Sequence, residues 1–317
     1  KKSKFPSILG GQLSSLPRTQ LDRLLGGEGL GIVIPPFVVR VRSPICVVAD
    51  GIERLYSDHL LAPQDGAGFF DFHVAVEASR PWFRPLCVFA LDGRQPFTPL
   101  AQGEAFALFE WGLNWCVTSH CHQWISLHAA VLERGGRAVV LPAPPGAGKS
   151  TLCAALMLHG WRLLSDELTL LEPGSGWVVP SPRPISLKNA SIDVIRERDP
   201  GCVLGPVAHD TQKGTVAHLK VLPDSLARAD ERALPAWVVF PRYERGAALQ
   251  VQPRAKATTV VELARNSFNQ HVHGRAGFEA LVRMVDACDS FDLRYSQLDQ
   301  ALDWFDALEP PSPARVA

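Results

Sequence analysis

The stretch that most constrains this chain is "VLPAPPGAGKSTLCAAL", residues Val140 to Leu156. An apolar run ends near Leu141, small turn-forming residues follow, and helical apolar spacing resumes from Lys149 up to a stop at Gly160. Strand, glycine-rich loop and helix in that order form the context in which G-x-x-x-x-G-K-[ST] cradles phosphate. Ala143 stands here where the first glycine of that string belongs. With alanine allowed, the string arises by chance in about one chain of this length in thirty, so the surrounding order carries the weight. At a helix N-terminus, unpaired N–H groups and the positive end of the dipole face an anion. Gly146 and Gly148 let the backbone close around phosphate oxygens. The expected nucleotide-binding residues are Pro145, Gly146, Ala147, Gly148, Lys149, Ser150 and Thr151. Lys149 would bridge the β- and γ-phosphates, the Ser150 hydroxyl would ligate Mg²⁺, and Thr151 would lie near the α-phosphate. Ala143, at the strand exit, is tolerable if its backbone angles are ordinary.

A second acidic site follows. "LLSDELTLL" places Asp166 and Glu167 inside an apolar run that reads as a strand. Burying carboxylates is costly unless they are paired or metal-bound. One acid can hold Mg²⁺ directly or through water, and the other, or the same one, can take a proton from an attacking hydroxyl. A strand-end turn with solvated acids is the plainer alternative. His128, in "SLHAAVL", falls on the strand expected to pair with the strand before the loop. It reads either as a group orienting the acids or as a satisfied core histidine. Arg183, Lys188, Lys213 and Arg242 are candidate cations for a transferring phosphoryl group, with Lys188 and Lys213 preferred. His218 is a candidate for shaping an acceptor pocket.

Bulk properties exclude more than they assign. Lys plus Arg and Asp plus Glu balance at 32 each, which gives no reason to expect nucleic acid or an anionic membrane as partner. No apolar run reaches the ~18 residues of a bilayer span. The start, "KKSKFPSILGG", has no initiator Met and no apolar signal core, and reads as trimmed rather than targeted. Seven scattered cysteines favour reduced thiols and a cytoplasmic setting. Cys116, His120, Cys121 and His122 have metal-binding chemistry, but without a second pair at finger-like spacing they read as packing residues.

The chain divides, on pattern, into a β-rich N-terminal region over 1–104 and a phosphate-loop domain over 105–317. In the first, "GIVIPPFVVRVRS", "ICVVADGIERLY", "FFDFHVAVEA" and "PLCVFALDG" read as strands. Asp50-Gly51 and Asp92-Gly93 read as tight turns, and Pro81 and Pro85 as breakers. In the second, a helix over "GEAFALFEWGLNWCVTSH" leads to a strand, a Gly135-Gly136 turn and a strand, then the loop. "PAWVVFPRY" reads as a buried strand with "ALQVQPR" as its partner. "GFEALVRMVDACDS" and "SQLDQALDWFDALE" read as helices before a Pro-rich tail.

His128 one hairpin before the loop, "APPGAGKST", and the acid pair in "LLSDE" together resemble the catalytic core of the HPr kinase/phosphorylase family, with its related-kinase A branch the nearer match. "SPRPISLKN", "KGTVAHL", "VVFPRYERGA" and "FDLRYSQLDQALDWFDAL" also look like that branch, so the resemblance spans roughly residues 105 to 308. It implies an α/β fold akin to phosphoenolpyruvate carboxykinase, a mixed β-sheet flanked by helices. It also implies transfer of the ATP γ-phosphoryl group to a hydroxyl, typically of serine, with Mg²⁺. Glu167 would align with the family's base, Asp166 with its metal-side neighbour, and His128 with the histidine near the acids. The resemblance is compatible with a homo-oligomer. The chain departs from the family in having Asp-Glu for Asp-Asp, Thr151 for the acid after the loop serine, and no recognisable glycine-rich signature after the acids. HPr as acceptor and the reverse phosphorolysis are therefore not implied. A nucleotide-gated binding module, or a simple NTPase in which water replaces the hydroxyl, stays open.

Overall fold

The computed structural model of the protein describes residues 11–64, 68–80 and 84–310. The chain start, Pro81 and the Pro-rich tail lie outside the described residues. The architecture is mixed α/β, with parallel and antiparallel strand pairing and helices. None of the described helices is long and apolar enough to cross a membrane.

In chain order, α1 (Arg18–Gly26), β1 (Leu30–Ile34), β2 (Phe37–Arg42), α2 (Cys46–Leu55), β3 (Phe72–Arg80), β4 (Leu86–Leu91) and β5 (Leu100–Ala101) precede the long helix α3 (Ala105–His120). Next come β6 (Ile125–Arg134), β7 (Arg137–Pro142), α4 (Lys149–Leu158), β8 (Arg162–Ser165), β9 (Leu168–Leu171) and β10 (Val178–Val179). A middle stretch holds β11 (Ile185–Lys188), α5 (Ala190–Arg198), β12 (Ala208–Thr211), β13 (Gly214–Leu219) and α6 (Pro223–Ala227). The chain closes with β14 (Leu234–Tyr243), β15 (Gln250–Pro253), α7 (Lys256–Arg265), α8 (Gln270–Asp286), β16 (Asp289–Tyr295) and α9 (Leu298–Asp306).

Two compact units result. One runs to Val117 and includes Ser186–Asp230; the other holds Thr118–Ile185 and the chain from Glu231 onward. This division differs from the contiguous split at 104/105 expected from the sequence. The physical reason lies in α3, which is apolar on nearly every side. A Cβ at Gly51 of α2 would fall on the Phe106 ring, and a Cβ at Gly112 of α3 would fall on Phe89 of β4. Ala107 packs with Ala208 and Val216 from the middle stretch. The helix thus welds the N-terminal strands to residues 186–230 instead of opening the next domain.

Within the first unit, β1 to β5 form one sheet in sequence order. "ICVVADGIERLY" is not a strand with a turn at Asp50-Gly51, as expected, but the helix α2. Its buried residues Val48, Ala49, Ile52 and Leu55 fall at helical spacing, and Gly51 is there for close approach by Phe106. Asp92 and Gly93 do form the expected turn, with φ of 49° and 78°.

His59 sits at 2% exposure, its ring 4.5 Å from that of Tyr56, and both ring nitrogens lack a hydrogen-bond partner among the described residues. Burial, helped by Lys220 and opposed by Asp58 and the Tyr56 backbone, lowers its pKa to about 3. The native state therefore keeps it neutral, while an unfolded chain binds a proton below about pH 6.5. Its contribution is complete above that pH and is lost as pH falls from about 6.5 toward 3. Urea unfolding should show a stability loss of about 2 kcal/mol from this group between about pH 7 and pH 5. His59→Leu should flatten that slope. An unchanged slope in the variant would assign the acid sensitivity elsewhere.

The second unit carries the sheet from which the glycine-rich loop leaves. Its order is β10-β9-β6-β7-β14-β16-β15, with β8 also pairing on β6. β6 and β7 form an antiparallel hairpin with Arg134 opposite Arg137. Gly135 and Gly136 turn it with φ of 59° and 79°, as two consecutive positive angles in a two-residue loop require. β14 runs parallel to both β7 and β16. The "ALQVQPR" strand, β15, pairs with β16 and not with β14 as expected, because β16 intervenes. One face of β6 and β7 packs Leu127, Ala129, Val131 and Val140 against Val260 and Leu263 of α7 and Leu281 and Val285 of α8.

Candidate active site

Val139, Val140 and Leu141 are fully buried, so β7 is anchored in the sheet to its last residues and delivers the loop from a rigid base. Ala143 is 2% exposed, and it is not among the residues with positive φ. A methyl group is tolerable there for that reason. Gly146 and Gly148 have φ of 85° and 89°, which side chains rarely adopt. The Ala147 N–H donates to the Pro144 carbonyl (3.2 Å), and the Tyr243 N–H donates to the Ala147 carbonyl (2.9 Å). The loop is thereby tied to the end of β14. The Leu152 N–H donates to the Gly148 carbonyl and starts the α4 ladder, so the N–H groups ahead of it have no intrahelical acceptor. Gly148, the N-cap, supplies no side-chain cap. Ser150 and Thr151 are half-buried, while Pro145 and Gly146 face solvent.

Gly148 is constrained twice, by φ and by space. A Cβ there would lie 2.9 Å from Tyr243 Cβ and 3.1 Å from the Tyr295 hydroxyl. Gly148→Ala should cost about 1–3 kcal/mol in thermal or urea unfolding. A variant as stable as the parent would show that the loop relaxes freely.

Lys149 and Asp166 are buried, at 8% and 4% exposure. The Lys149 Nζ donates to the Asp166 carbonyl (2.5 Å) and lies 3.8 Å from its Oδ1. The Ser150 Oγ donates to Asp166 Oδ2 (3.2 Å). Burial pulls the Lys149 pKa down, but Asp166 first, then Glu167, outweigh it and raise it above the ordinary lysine value. Lys149 is thus held as a cation in a buried place. Cys153, one turn further along α4, is buried, and burial with Asp166 raises its thiol pKa well above the usual range.

Asp166 and Glu167 do not lie inside one strand, as expected from the apolar run. They occupy a bend between β8 and β9, both of which pair with β6, so Val131 faces Ser165 and His128 faces Leu168. The alternation that would send neighbouring side chains to opposite faces does not apply at a bend. Nor are both acids solvated, since only Glu167 is partly exposed, at 26% of its side chain. His128 Nε2 lies 3.2 Å from Glu167 Oε2. Lys149, Ser150, Asp166, Glu167 and His128 therefore meet in one place.

The remaining candidates are distributed otherwise. Lys188, Lys213 and His218 belong to the compact unit that does not contain the loop. Lys213 Nζ stands 4.7 Å over the Trp111 ring, and His218 is 1% exposed with its ring edge-on to Phe106. Arg242 is on β14, beside the loop strand, with 76% of its side chain exposed and Glu244 at 4.0 Å. Arg183 lies between β10 and β11, half-buried. Cys116 and Cys121 are buried, whereas His120 and His122 are exposed. Among the described residues no three His, Cys, Asp or Glu side chains form a group that could hold a metal. Ser150 with Asp166 offers two oxygen ligands, enough for a Mg²⁺ held mainly by phosphates and water.

Three aromatic residues at the site escaped the sequence reading. Phe268 is 45% exposed with its ring 5.9 Å from His128, and its segment is pinned to β6 by His128 N–H to Asn266 O (2.8 Å) and Ser126 N–H to Asn269 Oδ1 (2.9 Å). Tyr243 and Tyr295 flank Gly148. All three lie more than 90 positions beyond the loop in sequence, and no spacing rule connects them to it.

No family model and no curated protein matches the chain. Among solved structures, the Hpr(Ser) kinase/phosphatase from Coxiella burnetii is similar over 56% of this chain and 90% of its own, at 10% identity and a TM-score of 0.25. A likeness at those values carries no weight for function, which rests on the geometry of the site.

Proposed function

We propose that this protein is an ATP-dependent phosphotransferase that moves a γ-phosphoryl group onto a serine or similar hydroxyl of a protein, peptide or small molecule. The observation that carries this reading is the meeting of Lys149 and Ser150 with Asp166, and of Glu167 with His128, at the mouth of a glycine-rich loop that opens a helix. In this reading the loop N–H groups and the Lys149 cation bind and orient the phosphates, which is most of what phosphoryl transfer asks of a protein.

Ser150 and Asp166 fit Mg²⁺. Both offer hard oxygens, and the 3.2 Å between Oγ and Oδ2 is close to the roughly 3 Å separating neighbouring ligands of an octahedral Mg²⁺. When bound, the ion would offset negative charge on the phosphate oxygens. Glu167 takes the proton of the acceptor hydroxyl as that oxygen bonds to the γ-phosphorus. The bond from the γ-phosphorus to the bridging oxygen breaks, and a nucleoside diphosphate leaves. His128, with its proton on Nε2, donates to Glu167 and holds it in place.

The test is a mass-resolved assay with Mg²⁺, γ-labelled ATP, serine peptides, hydroxylated metabolites and water alone. A labelled acceptor, absent with Lys149→Ala, supports the transfer. Labelled inorganic phosphate alone would make the protein a hydrolase. Nucleotide binding with no labelled product would make it a nucleotide-gated module.

A further inference from the structure

We propose that the ring of Tyr243 is the stacking surface for the purine base of the nucleotide, so that the end of β14 makes the site prefer a nucleoside triphosphate to a bare polyphosphate. The inference rests on the phosphate-loop reading and extends it to the other end of the ligand.

The order of strands supplies the direction. The acid bend lies on the β6 side of β7, and β14 lies on the other side. The γ-phosphoryl end of a nucleotide must face the acids for transfer to occur. Its nucleoside end therefore leaves the loop away from β6, toward the end of β14. Parallel strands also place ligands at their carboxyl ends, and β7 and β14 are parallel with Tyr243 as the last residue of β14.

Tyr243 is held there as a preformed surface. Its N–H donates to the Ala147 carbonyl at 2.9 Å, which fixes its backbone to the loop itself. Its Cβ lies 2.9 Å from where a Cβ on Gly148 would be, so the absence of a side chain at Gly148 is what admits it. Tyr295, 1% exposed, meets the ring in a T-shaped contact at 5.9 Å. Nevertheless 49% of Tyr243 is exposed. A large ring braced on one side and open on the other has little to gain from packing alone. It loses little freedom on binding, and every base has a π-face to offer it. Arg242, one residue earlier, adds a cation at the same strand end.

Calorimetric titration of the full chain with ATP and with inorganic tripolyphosphate, both with Mg²⁺, tests the proposal without any turnover. Tyr243→Ala should weaken ATP about ten-fold and leave tripolyphosphate unchanged, whereas Tyr243→Phe should bind both as the parent does. Equal weakening of both ligands in Tyr243→Ala would make the ring a mere support of the loop and overturn the inference. No change in either would overturn it as well. A parent protein that binds tripolyphosphate as tightly as ATP would refute the base contact and leave the phosphate loop standing. A parent that binds neither would refute both.

Discussion

Glu167→Gln should lower phosphoryl transfer by about 10²- to 10⁴-fold, the usual contribution of a positioned general base, and leave nucleotide affinity nearly unchanged. The amide keeps the size of the carboxylate and its contact with His128 at 3.2 Å, but it cannot accept the acceptor's proton. The groups assigned to phosphate and Mg²⁺, Lys149, Ser150 and Asp166, are joined to one another by hydrogen bonds and an ion pair that Glu167→Gln leaves in place. Single-turnover transfer alongside calorimetric nucleotide affinity separates the two effects. His128→Asn should produce a smaller loss of transfer, because it removes one support of Glu167 and keeps the carboxylate. Should Glu167→Gln transfer at the parental rate while Asp166→Asn does not, the base would be Asp166.

The legibility of this site followed chain proximity. The loop could be read because the strand before it, its two positive-φ glycines and the helix after it are consecutive, and each leaves a local mark. The acid pair was half legible. Its chemistry shows in the sequence, but the bend that separates β8 from β9 does not, since Leu163 and Leu164 before it and Leu168 after it make one apolar run. A glycine beside an aspartate marks a turn locally, whereas Gly51 of α2 answers to Phe106 on a helix more than 50 residues away. β16 was absorbed between two helical patterns, although it forms the sheet partner of both β14 and β15. Tyr243 looked like the end of a buried strand. Its meaning comes from the backbone bond to Ala147 and the gap at Gly148, both long-range facts. Local chemistry thus marks the loop and its acids, and the remaining neighbours come from tertiary packing.

Lys149→Ala should abolish phosphate binding and also destabilise the fold, and the two losses should be separable. The ammonium sits at 8% exposure between the Asp166 carbonyl and carboxylate, and no nucleotide is needed to keep it charged. Removing it leaves Asp166, at 4% exposure, without its buried cation. Breaking a buried pair from one side costs about 3–5 kcal/mol, most of it the penalty on the charge left behind. The midpoint of urea unfolding should therefore fall in Lys149→Ala. Adding Asp166→Asn removes the stranded charge, so the double variant should regain most of the lost stability. It should still fail to bind ATP or tripolyphosphate, because it lacks both the cation and the carboxylate oxygen that the proposed function assigns to phosphate and Mg²⁺. A double variant that recovers both stability and affinity would mean that Lys149 serves only to neutralise Asp166, and the loop would then hold phosphate by its N–H groups alone. If Lys149→Ala were as stable as the parent yet unable to bind, the buried pair would be neutral in its contribution to folding and Lys149 purely a ligand-binding group.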